Sequence, residues 1–394
     1  MRSVITSMVV FIWVVTAGSA ADSAAPRDLA KPVPADWLAR AIVSDGNQEL
    51  LKKSFEKASH GGMFTVGILG GSITAGASAS SKDRHYSAYV LNWWKKNFPK
   101  AQVNFVNAGI GATGSDYGAM RLQRDLLSKN PDFIVVEYAV NDRNTQDKAE
   151  SYEGVIRQIL SHPKKPGVIL IFMMNSAGGN AQEWQAKVGK HYDLPMVSYR
   201  DLLWPEIESK RMEWKDISPD TVHPNDIGHA YAGKLLCTIL DRARASSVKS
   251  PASTLPEPLF TDAFQYTSLF EADALKPVTK QGWDFDSSQA RNKCFKSTKP
   301  GSVIEFDVVG EKIFLTFWKI RGGMGKAKVS VDGGEPAVYD AWFDQTWGGY
   351  RCTEMIAAGK PGKHRVRVEL LAEKNPGSTG NEFRILCLAA AGVK

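Results

Sequence analysis

The chain has 394 residues, 43% of them hydrophobic and 23% charged, with a formal net charge of +7. That composition is globular, and the length allows two domains with separate cores. Lysines and arginines are interleaved with acids rather than gathered in a block, which excludes the basic tail of a nucleic-acid-binding protein.

Arg2 precedes a mostly apolar run from Val4 to Val15, and the small residues Ala17, Gly18, Ser19 and Ala20 follow. This is the pattern of a signal peptide over residues 1–20, cleaved after Ala20 or Ala21. The run is too short to span a bilayer comfortably, and no cysteine follows it for lipid attachment. The expectation is a secreted or periplasmic protein without stable membrane association.

Residues 21–245 are expected to form the first domain. From Asn47 onward, short apolar runs alternate with helical patterns. "MFTVGIL" (63–69), "VNFVNAG" (103–109), "DFIVVEYA" (132–139), "GVILIFMM" (167–174) and "LPMVSY" (194–199) read as strands. Residues 86–98, 118–129, 151–162 and 181–192 carry apolar residues at helical spacing, and a last helix is expected over 229–245. Nearly continuous apolar strands separated by helices imply an α/β fold, with a parallel sheet covered on both faces.

Residues 246–258, "SSVKSPASTLPEP", have the serine and proline content of a linker. Beyond it the pattern changes. "SVIEFDVVG", "KIFLTFWKI", "KAKVSVDGG" and "HRVRVELL" read as strands, punctuated by "RGGMG", "AAGKPGK" and "KNPGSTG". With no long helix among them, residues 259–394 are expected to form an all-β, jelly-roll-like sandwich. Trp283, Trp318, Trp342, Trp347 and Tyr350 lie there. Such rings stack on sugars or fill cores, and core is the reading for most of them. Cys237, Cys294, Cys352 and Cys387 show no C-x-x-C spacing, so no zinc or redox motif is present. Two of the last three could pair in an oxidising compartment, or all could be buried thiols.

The chemistry starts in "GILGGSITAG" (67–76), directly after the first of these strands. Functional loops of parallel sheets gather at the carboxyl ends of strands. Gly71 and Gly76 have the spacing of a phosphate-binding loop, but Ala77 replaces its lysine. The G-x-G-x-x-G and G-x-S-x-G patterns also fail, the latter at Thr74. Ser72 is therefore a nucleophile or the polar residue of a turn. "SPDTVHPNDIGH" (218–229) holds Asp220 and His223, three apart. A serine nucleophile needs an imidazole to take its proton, and the imidazole needs an acceptor on its other nitrogen. One turn can supply both, although a capping aspartate beside a surface histidine has the same spelling. "VNAGIGATGSDYG" (106–118) offers backbone N–H groups, and "YAVNDRN" (138–144) places Asn141 after a strand. Both are potential oxyanion donors, and Asn141-Asp142 could equally be a turn and helix cap.

Four polar elements in this order resemble the four blocks of the SGNH (GDSL-type) hydrolases: "GGSIT" at Ser72, "NAGIGATG" from Asn107, "AVND" at Asn141, and "DTVH" at Asp220 and His223. The resemblance covers about residues 47–245. It implies a flavodoxin-like three-layer sheet and a catalytic triad of Ser72, His223 and Asp220. The oxyanion would meet the Ser72 N–H, the Asn141 amide and a second-block N–H. Counting from Asn107 puts that last donor at Ala112, with Gly111 as the alternative. Neither metal nor cofactor is implied. Three residues depart from the family pattern: Gly71 replaces an aspartate, Ala139 a glycine and Ala112 a glycine. The implied activity is hydrolysis of acyl esters, above all acetyl esters, on a polysaccharide or glycan. A lipid or thioester hydrolase of the same family is the alternative. Among the other polar residues, His85 could touch substrate, Asp142 reads as a supporting or capping group and His229 as structural. His162 and His191 read as surface residues.

Overall fold

The computed structural model describes residues 33–247 and 254–394. The expected signal peptide, residues 1–20, lies outside them, as does the middle of the expected linker, residues 248–253.

The α/β part runs α1 (Ala35–Ala41), β1 (Ile42–Ser44), α2 (Glu49–His60), β2 (Gly62–Gly70), α3 (Ser72–Ala75), α4 (Tyr86–Asn97) and β3 (Ala101–Gly109). It continues with α5 (Ser115–Asp125), β4 (Phe133–Glu137), α6 (Gln146–Ser161), β5 (Gly167–Phe172), α7 (Gln182–His191) and β6 (Met196–Ser198). Helices α8 (Tyr199–Glu208), α9 (Trp214–Ile217) and α10 (Asp226–Ala245) complete it. The six strands lie in the order β1-β6-β5-β4-β2-β3. β2 to β6 are parallel and follow the flavodoxin-like order. The sequence reading lacked β1, which pairs antiparallel with β6 and covers what would otherwise be an open edge.

Every residue of β4 and β5 is buried, so helices must cover both faces. Successive side chains of a strand point to opposite faces. On β2, Val66 and Ile68 join Trp94 of α4 and Ile239 of α10 in one core. Leu69 joins Leu122 of α5, Ile156 of α6 and Val188 of α7 in the other. Gly70 is in register with both Gly109 and Glu137. The loops after β2, β3 and β4 therefore open on one edge of the sheet, where the strand order reverses.

From Leu255 onward the chain is tied to α6 and α7. Arg157 donates to the Pro256 carbonyl at 2.8 Å, and the Glu153 carboxylate accepts the N–H groups of Phe260 and Thr261 at 2.9 and 3.1 Å. The β part follows: β7 (Thr267–Glu271), β8 (Pro277–Gln281), β9 (Asp284–Asp286), β10 (Cys294–Ser297), β11 (Val303–Lys319), β12 (Lys326–Val331), β13 (Ala337–Asp340), β14 (Tyr350–Leu370) and β15 (Phe383–Ala391). All its strand pairs are antiparallel. β11 pairs with β8 through residues 303–306 and with β15 through 312–317, with a register shift at Gly310/Lys312 between them. Such an irregularity bends a strand, so β11 serves two layers of the sandwich. Phe306, Leu315, Val366, Ile385 and Leu388 fill the space between them. Phe264, Phe314 and Ala389 instead pack into the second α/β core, so the two parts share buried surface. All four cysteines are free thiols, and Cys294, Cys352 and Cys387 are buried apart from any disulfide.

Candidate active site

Ser72 opens α3 directly after β2. Its Oγ lies 2.8 Å from His223 Nε2, and His223 Nδ1 lies 2.7 Å from Asp220 Oδ2. The structure thus brings together three side chains from the two ends of the α/β part. Asp220 Oδ1 also accepts the N–H groups of Val222 and His223, each at 2.7 Å. Partial burial opposes the Asp220 charge. The bonds from the His223 N–H, the His223 ring and the Val222 N–H outweigh it and hold the carboxyl below its ordinary range. Ser218 fastens this turn by donating to the Asp220 and His223 carbonyls at 2.8 and 2.6 Å. Asn225 then caps α10 by accepting from Ile227 and Gly228.

The loop around Ser72 is held by side chains from α5, β3 and α10 and by the residue that caps α4. Arg121, wholly buried on α5, donates to the Gly70 carbonyl at 3.1 Å and the Ala108 carbonyl at 2.7 Å. Asn107 Nδ2 donates to the Thr74 carbonyl at 2.9 Å. His85 Nε2–H donates to the Ile73 carbonyl at 2.9 Å, and His229 Nε2–H to that of Ala77 at 3.1 Å. The two imidazoles lie side by side, with ring centroids 4.7 Å apart. Burial pushes both toward the neutral form, and His229, also beside His85, is pushed down to about 4. His85 is therefore a loop anchor turned away from the cleft, which corrects the expectation that it could touch substrate. His229 has the structural role expected of it.

Asp142 is a supporting group. Its Oδ1 accepts the Ser115 N–H at 2.8 Å and its Oδ2 the Gln185 amide at 2.9 Å, which ties the start of α5 to the loop after β4. Asn141 lines the cleft while its Oδ1 is buried, so the amide presents Nδ2 outward. A Cβ on residue 71 would overlap Asn141 Oδ1 and stand 2.8 Å from its Cγ. Gly71 is thus required by the close approach of Asn141, a constraint invisible in the local spelling. A Cβ on Gly111 would come 3.7 Å from Ser72 Cβ, and Ala112 stands in left-handed backbone with φ of 54°. The N–H groups of Ser72, Gly111 and Ala112 have no acceptor among the described residues.

The cleft beside Ser72 has a volume of about 1660 Å³. Asn141, His223 and Gly111 line one side; Trp318, Phe343, Trp347 and Tyr350 from the β part line the other. Trp347 is 59% exposed, whereas Trp283 is core and Trp342 packs against that core. Across the seam, Arg351 of β14 donates to Tyr117 OH of α5 at 2.9 Å, and Glu271 pairs with Arg124 at 2.6 Å and Arg351 at 3.2 Å. The sequence reading missed this seam, as it missed Phe343, Arg121 and Glu137. Only Glu137 left a trace, as the single charged residue of the apolar run 133–140.

A seryl oxygen, an imidazole and a carboxylate in hydrogen-bonded series, set at the strand ends of a flavodoxin-ordered sheet, define a carboxylic-ester hydrolase of the serine type. The chain belongs to the GDSL-like lipase/acylhydrolase family, which it matches over residues 68–231. It is similar throughout to a two-domain esterase active on acetylated mannans. With that enzyme co-crystallised with mannopentaose, the identity is 32% over 91% of this chain and 98% of the other, with a TM-score of 0.83. With a second structure of an esterase so described, the identity is 31% over 91% and 99%, with a TM-score of 0.85. No curated protein matches the chain. Fold and likeness together make it a carbohydrate esterase with a C-terminal β domain. Among the described residues, no helix is long and apolar enough to cross a membrane.

Proposed function

We propose that the protein removes acetyl groups from an acetylated polysaccharide, with acetylated mannan as the substrate class, through an acetyl-enzyme on Ser72. The observation that carries this reading is the shared cleft: Ser72 and His223 face Trp318, Trp347 and Tyr350 of the sandwich across one open groove. Flat rings beside polar groups suit a sugar chain laid across the nucleophile. The same wall carries Gln345, Arg351 and Glu271, which favours hydroxyl-rich substrate over the lipid alternative.

In this mechanism His223 Nε2 takes the Ser72 proton as Oγ attacks the acetyl carbonyl. Asp220 accepts the Nδ1–H, which fixes the tautomer and stabilises the imidazolium. The oxyanion meets the Ser72 N–H, Asn141 Nδ2 and the second-block N–H. The left-handed backbone of Ala112, ordinarily a glycine conformation, fits Ala112 to that last role, with Gly111 flanking Ser72 as the alternative. Collapse breaks the ester bond, and His223 returns its proton to the departing sugar hydroxyl. Water, deprotonated by His223, then releases acetate and restores Ser72. The protein is exported by way of residues 1–20, and residues 21–245 form its catalytic domain.

The test is acetate release from acetylated mannan and acetylated xylan by the full chain and by Ser72→Ala. The wild type is expected to favour mannan, and Ser72→Ala to lose about 10⁴-fold or more in kcat. Full activity in Ser72→Ala would refute the mechanism, and a preference for xylan would refute the substrate class.

A further inference from the structure

Glu137 is a carboxyl that the proposed chemistry does not use. It ends the apolar strand β4 and is wholly buried. Its Oε2 accepts the Thr74 hydroxyl hydrogen at 3.2 Å, and that hydroxyl lies 2.9 Å from Tyr86 OH. The Gly71 N–H also acts on the carboxyl. Its Oε1 is buried with no hydrogen-bond partner among the described residues. Asn141 Oδ1 is in the same condition, and it lies against Gly71 where a Cβ would be. Both acceptors thus belong to side chains that meet Gly71, and neither has a hydrogen from the described residues. A buried polar atom left unmet is costly, so native structures rarely leave two together.

One proton answers both. We propose that Glu137 works as a neutral carboxylic acid whose Oε1–H donates to Asn141 Oδ1 and so holds Nδ2 toward the oxyanion; this rests on the serine-esterase reading above. An ionised Glu137 would have the opposite effect. A carboxylate only accepts, so the amide would turn Nδ2 to Glu137 and present Oδ1 to the oxyanion. Burial supports the neutral form: it pushes the carboxyl up to about 7, with the bonds from Thr74 and Gly71 opposing and Asp142 adding to the rise. The other titratable groups acting with it are Tyr86 on α4, Tyr138 beside it and Tyr152 on α6, all held neutral by burial. Arg121 on α5 is engaged with Tyr138 OH and the Gly70 carbonyl. Glu137 is thus a positioning residue that acts through Asn141.

Glutamine has the donor, the acceptor and nearly the volume of the neutral acid, so it separates the two protonation states. On an aryl acetate, Glu137→Gln is expected to keep kcat within about threefold. Glu137→Leu is expected to lose about 100-fold in kcat with KM within about twofold, the scale of a lost oxyanion donor. Glu137→Leu/Asn141→Ala should be no slower than Asn141→Ala alone. Wild-type kcat should fall above about pH 7 as Glu137 ionises, and Glu137→Gln should lack that fall. Three outcomes overturn the proposal: a folded Glu137→Gln as slow as the leucine variant, a glutamine variant that does not fold, or multiplicative losses in the double variant. Ser72→Ala is measured beside them. Its retained activity would sink the esterase reading, whereas a negative Glu137 result would leave that reading standing.

Discussion

Replacing Gly71 by alanine tests the site with a single methyl group. The backbone does not require glycine through a left-handed torsion, since φ is −89°. The obstacle is Asn141: the new Cβ would overlap its Oδ1 and stand 2.8 Å from its Cγ. Carbon atoms in ordinary contact stand about 3.5–4.0 Å apart, so the amide must retreat by roughly 1 Å. A displacement of that size can cost about 10²-fold in a positioned reaction, and loss of an oxyanion donor about 10²–10³. Gly71→Ala is therefore expected to lower kcat on an aryl acetate about 100-fold, or about 2.7 kcal/mol, with KM within about twofold. Stopped-flow hydrolysis on protein verified as folded measures it. Adding Gly71→Ala to Asn141→Ala should cost little more, because the amide that the methyl displaces is then absent. A Gly71→Ala enzyme with kcat within threefold of wild type would refute the assignment of Asn141 as an oxyanion donor.

Asp220→Asn removes the charge that steadies the His223 imidazolium and is expected to lower kcat by about 10⁴-fold; a loss under tenfold on an aryl acetate would count against the assignment. Trp347→Ala removes an exposed ring of the cleft wall. It should raise KM for acetylated mannan about 5- to 30-fold, as for one or two kcal/mol of ring contact, and leave aryl acetate kinetics within twofold. Equal effects on both substrates would remove the sandwich from polymer binding. His229 is held down to about 4 from 6.5 by burial and by His85, so the unfolded chain binds more protons. Its contribution is complete above pH 6.5 and is lost as pH falls toward 4, by about 3 kcal/mol. Urea unfolding should show the wild type losing that much relative to His229→Gln between pH 7 and pH 4, and a constant difference would refute it.

The α/β fold was legible because β2 to β6 are short apolar runs separated by amphipathic helices, a pattern with few alternatives. β1 was not, because three residues at an edge carry no periodic signal and acquire their meaning only from pairing with β6. Ser72, Asn141, Asp220 and His223 could be singled out because each lies in a short polar loop after a strand or before the last helix. The side chains that hold those loops could not. Arg121 and His85 bond backbone carbonyls, and Glu137 the Thr74 hydroxyl, at a distance in the sequence, and spelling does not encode such meetings. Gly71 read as a departure from the family pattern for the same reason, since the side chain that calls for it lies 70 residues further on, at Asn141.

The two parts of the molecule build opposite walls of the cleft. The loop around Ser72 has glycines at positions 70, 71 and 76 and would be mobile alone, yet the carbonyls of Gly70, Ile73, Thr74 and Ala77 each accept from a side chain. Such bonds contribute modestly when made and cost more when a buried partner is left unmet, so the loop has one favoured arrangement and its donors need not reorganise during reaction. The opposite wall differs: Phe343, Trp347 and Tyr350 contact one another at the surface, with centroids 5.0 to 5.6 Å apart. In the proposed reaction a polymer lies on these rings while its acetyl carbonyl is attacked at Ser72. Phe264, Phe314 and Ala389, packed into the α/β core, keep the two in register, so the sandwich is a wall of the cleft and deleting it would uncover the core beneath the Ser72 loop.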